Sequence, residues 1–292
     1  MKPPVFEYTA VGSIDEAVAE LAQHGDQAKL LAGGQSLVPT LALRLTAFDH
    51  LVDLRRVEGI GAIDRSDGRV RIGAGVTQAT IEGHPDVATA VPLLARATPL
   101  IGHFQIRNRG TIGGSLAHAD PAAEYPAVAL ALDAELEILG PTGARTVAAS
   151  EFFVGVWSTV LAGDELLTAV SFPVWSSGKS GFAVEELAQR HGDFALAGAC
   201  VGIGLDPNDR VERCAIGLFG LGPTPVRASA AEAGVAGVAV DDVVAGDVGR
   251  AATEDLRDVP SDVHAPAAYR RQVGAVMVAR ALRRAVEEAR SG

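Results

Sequence analysis

The sequence predicts an α+β protein in which helices pack against a mixed sheet. Three features of the chain support this fold class. Residues 13 to 54 contain a helix, a strand, a glycine-rich turn, a second helix and a second strand. An aspartate–glycine turn separates two short apolar runs between residues 59 and 75. In the last third, two long apolar runs flank a turn and precede a long amphipathic helix.

The N-terminal elements predict a small βαβ-like unit. Ser13 is the expected N-cap of the first helix, Glu16 completes a capping box, and Gly25 follows the helix end. Three elements complete the unit: a strand over 29–32, a helix over 39–45 and a strand over 51–54.

The middle of the chain predicts a hairpin, then helices and strands. Apolar runs over 60–63 and 70–74 flank Ser66-Asp67-Gly68, and Asp-Gly between strands is typical of a tight hairpin. The elements expected next are helices over 77–98 and 121–132, strands over 135–139, 144–147 and 166–172, and a linker rich in Ser and Gly over 173–181.

The C-terminal part has a different pattern. Strands are predicted over 197–205 and 211–219, on either side of the turn Asp206-Pro207-Asn208-Asp209. Helices are predicted over 226–233 and 266–289, the second of them amphipathic.

The composition of the chain limits its class and its partners. With 292 residues, 48% hydrophobic and 21% charged, it can form a packed core in one or two domains. A net charge of −11 disfavours nucleic acid as a partner. No run approaches the roughly 18 apolar residues of a membrane span, and the first five residues lack a signal-peptide core. We therefore expect no integral membrane segment and a cytoplasmic location.

The two cysteines, Cys200 and Cys214, restrict the redox chemistry of the chain. An iron–sulfur cluster normally takes four thiolates, and a cysteine-rich zinc site takes three or four ligands. This chain cannot hold either on cysteine alone, so redox chemistry here would need an organic cofactor. Both thiols are expected to be reduced and structural.

Two glycine pairs are the candidate ligand-binding turns. Gly33 and Gly34 follow a predicted strand, whereas Gly113 and Gly114 lie between Thr111 and Ser115. Glycine permits positive φ and lets a ligand approach main-chain N–H groups. Two such turns can hold the two phosphates of one dinucleotide from opposite sides.

Other ligand-binding and catalytic patterns are absent or weak. Neither turn has the Gly-x-Gly-x-x-Gly spacing; Gly73-Ala74-Gly75 comes nearest, but residue 78 is Gln, and there is no P-loop. Ser115 is not in a Gly-x-Ser-x-Gly nucleophile elbow, which argues against a hydrolase triad. A doubly wound dinucleotide fold is therefore disfavoured.

Histidines and arginines near the second turn leave several interpretations open. His103, His118 and His191 are candidates for metal or catalytic roles, but no third ligand accompanies His118 and Asp120. Arg107 and Arg109 can pair either with phosphates or with neighbouring acids.

Long motifs in this chain resemble a known family. The segments 32–37, 51–55, 102–124, 192–195 and 269–271 are similar to the FAD-binding medium subunits of molybdenum hydroxylases, with carbon monoxide dehydrogenase and xanthine dehydrogenase among the relatives. The resemblance covers essentially the whole chain, and the central motif 102–124 is the most specific part of it.

The resemblance implies a fold and a division into domains. The fold would be the vanillyl-alcohol-oxidase (PCMH) type, with two α/β FAD-binding subdomains over 1–57 and 58–176. A C-terminal α+β domain of sheet and helices would occupy 177–292. The implied cofactor of this chain is FAD.

The resemblance also implies the residues that bind FAD. Both glycine turns would hold the pyrophosphate, with the amides of Gly33, Gly34, Gln35 and Ser36 on the phosphates. Ile101, Leu167 and Phe194 would lie near the flavin, although Phe194 can equally be a core aromatic. The full set of implied cofactor contacts is Lys29, Leu30, Leu31, Ala32, Gly33, Gly34, Gln35, Ser36, Leu37, Ile101, Thr111, Gly113, Gly114, Ser115, His118, Asp120, Glu124, Leu167 and Phe194. No catalytic side chain and no metal ligand is implied.

One departure from some relatives concerns the segment before residue 192. They have a lysine there, whereas this chain has Glu185 and Glu186, with Arg190 as a candidate compensating charge. Acidic groups near a flavin disfavour its anionic reduced form.

The leading functional hypothesis is a medium subunit of a heterotrimeric molybdenum hydroxylase. The resemblance implies a molybdenum-binding large subunit, an iron–sulfur small subunit with [2Fe-2S] clusters, and a dimer of heterotrimers. FAD in this chain would pass electrons to an external acceptor. Two alternatives are a self-sufficient FAD-dependent oxidoreductase and a flavin-free nucleotide-binding or assembly protein. The sequence names neither the oxidised substrate nor the electron acceptor, nor whether the isolated chain retains FAD.

Overall fold

A computed structural model describes residues 2–175 and 178–291 of the chain. It confirms the predicted mixture of helices and strands. The N-terminal unit has three parallel strands, β1 (Glu7–Ala10), β2 (Ala28–Leu31) and β3 (His50–Asp53), in the order β1-β3-β2. Helix α1 (Ile14–His24) connects the first two strands and α2 (Leu37–Ala42) the last two. Strand β1 was not predicted, whereas the other four elements are those of the predicted βαβ-like unit.

The helix boundaries in this unit follow from local chemistry. The Ser13 side chain accepts a hydrogen bond from the Glu16 N–H at 3.1 Å, as predicted for an N-cap. Helix α2 begins two residues earlier than predicted, because Pro39 falls in the first turn, where its missing N–H costs no intrahelical bond.

The predicted Asp-Gly hairpin is confirmed, with a shift in its first strand. Asp67 and Gly68 have φ values of 51° and 72°, so both central residues have the left-handed conformation that a two-residue hairpin turn favours. The turn pairs Ser66 with Arg69, which fixes the strands as β4 (Ile63–Ser66) and β5 (Arg69–Gly73). The first strand therefore lies at 63–66 and not at 60–63.

Short helices occupy the centre of the chain. The predicted helical region 77–98 is divided, because prolines at 85 and 92 each begin a new helix. The helices in this part are α3 (Gln78–Gly83), α4 (Pro85–Ala90), α5 (Pro92–Ala97), α6 (Phe104–Arg107), α7 (Ile112–His118) and α8 (Glu124–Ala131).

A second sheet includes the strands that follow the short helices. The elements of this region are β6 (Glu135–Gly140), β7 (Gly143–Ala148), α9 (Ala149–Phe152), the short pair β8 (Phe153–Gly155) and β9 (Ser158–Thr159), and β10 (Leu166–Pro173). The sheet is antiparallel and five-stranded, with the order β4-β5-β10-β6-β7. The three predicted strands of this region are confirmed, with β10 at the centre of the sheet.

The C-terminal part is a four-stranded antiparallel sheet with helices against one face. Its elements are β11 (Lys179–Ala188), β12 (Ala195–Leu205), β13 (Val211–Phe219), β14 (Val226–Arg227), α10 (Ser229–Val235), α11 (Ala245–Glu254) and α12 (Ala267–Ser291). Strand β11 and helix α11 were not predicted. The predicted linker 173–181 is wrong at both ends, because residue 173 closes β10 and 179–181 belong to β11; Ser176 and Ser177 lie outside the described residues.

Two buried clusters lie on opposite faces of the C-terminal sheet. Val184 and Cys200 contribute to the larger cluster, which extends through the first 175 residues. Their neighbours Ala183 and Val201 contribute to the second, which is shared with α11 and α12. The last strand of the three-stranded sheet ends at Asp53, and that of the five-stranded sheet ends at Pro173. The four-stranded sheet begins at Lys179. The domain boundaries 57/58 and 176/177 stay a prediction. No helix in the described part of the chain is long and apolar enough to cross a bilayer.

Candidate functional site

The two glycine turns lie against each other. A Cβ atom on Gly33 would collide with the Arg109 carbonyl oxygen and would lie 2.7 Å from the Gly110 Cα. A Cβ atom on Gly114 would lie 3.5 Å from the Ala32 Cβ. The fold therefore brings together two turns that are about 80 residues apart in sequence, as the hypothesis of a shared ligand requires.

The first turn offers a row of free main-chain donors. Within the described residues, no group accepts a hydrogen bond from the N–H groups of Gly33, Gly34, Gln35 or Ser36. Gly34 has a φ of 72°, which turns the backbone away from strand β2, and the Gln35 side-chain amide donates to the Gly33 carbonyl at 3.0 Å. Successive unpaired N–H groups of this kind make an anion-binding concavity.

The second glycine pair differs from the prediction, because Gly113 and Gly114 lie in the first turn of helix α7. Its N–H groups already donate inside the chain: Gly113 to the Ala74 carbonyl at 2.9 Å, Gly114 to Thr111 Oγ1 at 3.0 Å and Ser115 to the Thr111 carbonyl at 3.0 Å. The prediction that the main-chain N–H groups of both glycine pairs are free to bind phosphate is therefore wrong for the second pair. What this turn can offer a ligand is the hydroxyl of Ser115 and the close approach that Gly114 allows.

A cleft of about 330 Å³ opens beside the first turn. It is lined by residues of the first turn, of helix α2, of the end of β3 and its continuation, and of the segment before the second glycine pair: Leu31, Ala32, Gly33, Gly34, Gln35, Val38, Pro39, Asp53, Arg55 and Arg109. The cleft lies at the carboxyl ends of parallel strands β2 and β3, where ligands commonly bind in α/β units.

Three other predicted contacts near the first turn, Lys29, Leu30 and Leu37, do not line this cleft. Lys29 is exposed, and its ammonium lies 5.8 Å from the centre of the Phe48 ring. Leu30 is half-buried against the core, and Leu37 is half-buried at the start of α2. These side chains position the turn, whereas its backbone offers the donors.

His118 and Asp120 belong to a cluster that includes Trp157. The rings of His118 and Trp157 are stacked with centroids 6.2 Å apart, and Trp157 Nε1 donates to Asp120 Oδ2 at 3.1 Å. Burial lowers the pKa of His118, and the positive charge of Lys29 lowers it further, against the opposing effect of Asp120. The imidazole is therefore neutral at neutral pH. Trp157 was not predicted, because nothing in its local sequence connects it with Asp120.

Glu124 is a buried acid at the start of α8, with 7% of its surface exposed. Burial, together with the charges of Glu186 and Asp120, raises the pKa of Glu124 to about 8. Burial also raises the pKa of Glu186 to about 7, and Glu186 Oε2 has no hydrogen-bond partner in the described residues. These two carboxyl groups are able to hold protons at neutral pH.

The two adjacent acids of strand β11, Glu185 and Glu186, differ in their partners. Glu185 forms an ion pair with Arg284 of helix α12. Arg190 does not compensate for Glu186, because it is 81% exposed and pairs with Asp193 at 3.1 Å. Of these two acids, Glu186 is therefore the one without a cationic partner among the described residues.

The segment around Ile101 meets the turn between β11 and β12. Arg107 donates to the Ile101 carbonyl at 3.1 Å and pairs with Glu82 at 2.8 Å, so Arg107 pairs with an acid. A Cβ atom on Gly192 would lie 2.8 Å from the Gly102 carbonyl oxygen, which shows how closely the two segments pack. Phe194 follows this contact and is 65% exposed, so it is not a core aromatic.

The remaining sequence candidates have structural roles. Leu167 is 3% exposed in β10, so its contact with a flavin stays a prediction. Gly73 and Gly75 pack against the Ile60 backbone and do not form a ligand turn. No three or more His, Cys, Asp or Glu side chains in the described ranges form a group that could hold a metal ion.

The residues present fit FAD. The free N–H groups of the first turn match the acceptor oxygens of a diphosphate, and added Cβ atoms at Gly33 or Gly114 would fill the space between the turns. Exposed Phe194 provides an aromatic face for a ring system.

Comparisons with known proteins agree with this geometry. A family model described as the FAD binding domain in molybdopterin dehydrogenase matches residues 4–175, and one described as the CO dehydrogenase flavoprotein C-terminal domain matches residues 182–285. The carbon monoxide dehydrogenase medium chain of Hydrogenophaga pseudoflava is 38% identical over 97% of each chain. This chain belongs to the FAD-binding medium subunits of molybdenum hydroxylases.

Further relatives of this medium subunit extend the comparison. Subunit alpha of the 6-hydroxypseudooxynicotine dehydrogenase complex of Paenarthrobacter nicotinovorans is 40% identical over 99% of this chain and 97% of that protein. The solved structure of carbon monoxide dehydrogenase from Hydrogenophaga pseudoflava superimposes with a TM-score of 0.95, covering 99% of both chains at 38% identity. The medium subunit is thus an oxidoreductase component with the predicted fold.

Proposed function

We propose that this chain is the flavin-carrying subunit of a three-subunit molybdenum hydroxylase. Its partners would be a large subunit with the molybdenum cofactor and a small subunit with [2Fe-2S] clusters. When bound, FAD supplies the redox chemistry, because it accepts electrons singly from iron–sulfur clusters and releases them in pairs. The chain has only two cysteines, which supports the placement of the clusters in another polypeptide.

The observation that carries the proposal is the row of free N–H groups at Gly33, Gly34, Gln35 and Ser36, in a turn that lines a cleft and packs against the segment before the second glycine pair. In this role the chain binds and orients the cofactor. The backbone of the first turn would hold the diphosphate, and the Ser115 hydroxyl would approach it from the other side. No side chain needs to act as a nucleophile.

The neighbouring side chains would set the protonation of the site. His118 is held neutral by burial, and Glu124 and Glu186 hold protons near neutral pH. We therefore expect the protein around the flavin to contribute little negative charge at or below neutral pH, and more as these acids ionise.

The substrate would be chosen by a partner subunit. Two relatives with similar identity to this chain are named for carbon monoxide and for 6-hydroxypseudooxynicotine, which have little chemistry in common. A conserved flavin subunit that serves such different reactions is best explained if the oxidised compound binds to the molybdenum-carrying subunit.

Purification from the native host tests the proposal. We expect a cytoplasmic yellow-brown complex that contains this chain, flavin, iron, sulfide and molybdenum, with a mass that corresponds to a dimer of heterotrimers. A single chain that completes a catalytic cycle with its own substrate would contradict the subunit role. A colourless chain that does not bind added FAD would contradict the flavin role.

A further inference from the structure

Arg55 is fixed beside the cleft by hydrogen bonds to buried Asp53 and to partly exposed Tyr8. Asp53 is 1% exposed, and its Oδ1 accepts a hydrogen bond from the Arg55 N–H at 2.8 Å. Asp53 Oδ2 accepts from Arg55 Nε at 2.7 Å and from the Tyr8 hydroxyl at 2.5 Å. Arg55 Nη2 in turn donates to the Tyr8 oxygen at 2.9 Å. The guanidinium is thus held in one orientation by two residues from separate strands.

This network leaves part of the guanidinium available. The hydrogen bonds use Nε and one bond of Nη2, whereas Nη1 has no partner in the described part of the chain. The Arg55 side chain remains 55% exposed and lines the cleft. Hydrogen bonds from Tyr8 and Arg55 lower the pKa of Asp53 against the effect of its burial, so the carboxylate that holds Arg55 stays ionised.

Arg109 provides a second cation at the same cleft. It lies between helices α6 and α7, shortly before the second glycine pair, where its carbonyl oxygen lies next to Gly33, and its side chain has no ion pair among the described residues. Arg107, two residues earlier, is already paired with Glu82. Of the two arginines in this motif, Arg109 is therefore the one that can meet a ligand.

Two cations at one cleft need an explanation in a chain with a net charge of −11. The free amides of the first turn are neutral donors, whereas a diphosphate is anionic. A guanidinium matches phosphate oxygens with charge-assisted, often bidentate hydrogen bonds. Fixing its orientation in advance lowers the entropic cost of binding.

We infer that Arg55 and Arg109 bind the diphosphate of FAD from the mouth of the cleft, and that Asp53 and Tyr8 are positioning residues for Arg55. This inference rests on the proposed function and deepens it. The first turn contacts the diphosphate with its amides, and the two arginines neutralise its charge.

Titration of the full chain with FAD, followed by flavin fluorescence, tests the inference. Arg55→Gln and Arg109→Gln are each expected to raise the Kd for FAD about tenfold. Arg56→Gln is the matched control, because Arg56 is exposed next to Arg55 but does not line the cleft. The same charge change at residue 56 should leave the Kd within about twofold of wild type.

Riboflavin, which lacks the diphosphate, separates a phosphate contact from a general structural effect. Riboflavin binding is expected to be the same in the wild type, Arg55→Gln and Arg109→Gln. Tyr8→Phe removes one hydrogen bond that orients Arg55. It should raise the Kd for FAD about threefold and leave riboflavin binding unchanged. If these variants lost affinity for FAD and for riboflavin equally, the inference would be overturned.

The outcomes distinguish this inference from the proposed function. If the wild type binds FAD and the arginine variants bind it as tightly as Arg56→Gln, the inference is overturned and the flavin role stands. If the native complex that contains the wild-type chain holds no FAD, both are overturned; if only the isolated chain fails to bind FAD, the same titrations are made on the complex after removal of its flavin. Circular dichroism and melting temperature of the chains without FAD, expected to be unchanged, show that the variants are folded.

Discussion

Glu186 on strand β11 lies close enough to Glu124 on helix α8 for its charge to raise the pKa of Glu124. Neither carboxylate forms an ion pair with a described residue, and both are removed from solvent to a large extent. Two carboxyl groups in such surroundings favour their protonated forms. The pair is 62 residues apart in sequence and is brought together by the packing of α8 on the C-terminal sheet.

The stability of the chain should therefore depend on pH through Glu124. The pKa of Glu124 is about 8 in the folded chain, whereas its ordinary value is 4.5. Between these two pH values the folded chain therefore binds more protons than the unfolded chain. By linkage, the contribution of this group is fully present below about pH 4.5 and is lost as the pH rises through about 8. The glutamine in Glu124→Gln is neutral at every pH. This variant should therefore lose less unfolding free energy than the wild type as the pH rises, by about a few kcal/mol.

Urea unfolding at about pH 5.5 and about pH 9 measures this dependence. The control is Glu212→Gln, because Glu212 is an exposed strand residue. We expect the control to keep the pH dependence of the wild type. If Glu124→Gln and the wild type lost stability equally between the two pH values, Glu124 would not carry a raised pKa.

Gly33→Ala should separate the two glycine turns. Its added Cβ atom would collide with the Arg109 carbonyl oxygen, and backbone cannot move aside as a flexible side chain can. We expect a loss of about 1–3 kcal/mol in the free energy of unfolding and a large loss of FAD affinity. Gly234→Ala is the control, because a Cβ atom on this helical glycine meets nothing within 4 Å. Unaltered FAD affinity in Gly33→Ala would show that the contact between the turns does not shape the site.

Part of this site follows from sequence, and part does not. The Asp67–Gly68 turn and the Ser13 cap are local, so they were predicted correctly. The contact between Gly33 and Arg109 was expected only through a shared ligand. Whether an N–H group is free depends on where acceptors such as the Ala74 carbonyl lie, which is a tertiary property that residue types do not encode locally.

The elements that were missed have a similar cause. Strand β11 carries polar residues at half-buried positions and opens with Lys179-Ser180-Gly181, which resembles a linker. Its strand conformation is fixed by pairing with β12 along its whole length. Helix α11 has weak intrinsic helical preference and is stabilised by packing on α12, with Gly249 against the Ala275 backbone.

Trp157 should control the protonation of His118. Its ring is stacked beside the imidazole with centroids 6.2 Å apart, and burial is the main cause that lowers the pKa of His118, so we expect the indole to shield it. Trp157→Ala is expected to raise that pKa towards the ordinary value by exposing the imidazole, as measured by NMR titration of the ring protons. Val156→Ala, at an exposed neighbouring position, should not change it. A pKa that is unchanged in Trp157→Ala would mean that other groups bury His118.

Phe194 should affect the flavin and not the fold. Because its side chain is 65% exposed, Phe194→Ala should change the melting temperature of the chain without FAD very little. If the ring packs on the flavin, the variant should bind FAD less tightly and quench flavin fluorescence less. Val244→Ala, also at an exposed apolar position, should have neither effect. Wild-type affinity and quenching in Phe194→Ala would exclude this contact.

The central claim is that the first glycine turn holds the diphosphate of FAD with its free amides. A crystal structure of the full chain grown with FAD tests it most directly. We expect the diphosphate oxygens within hydrogen-bond distance of the N–H groups of Gly33, Gly34, Gln35 and Ser36, with Ser115 on the other side. A diphosphate bound elsewhere on the chain, with these N–H groups still free, would contradict the account.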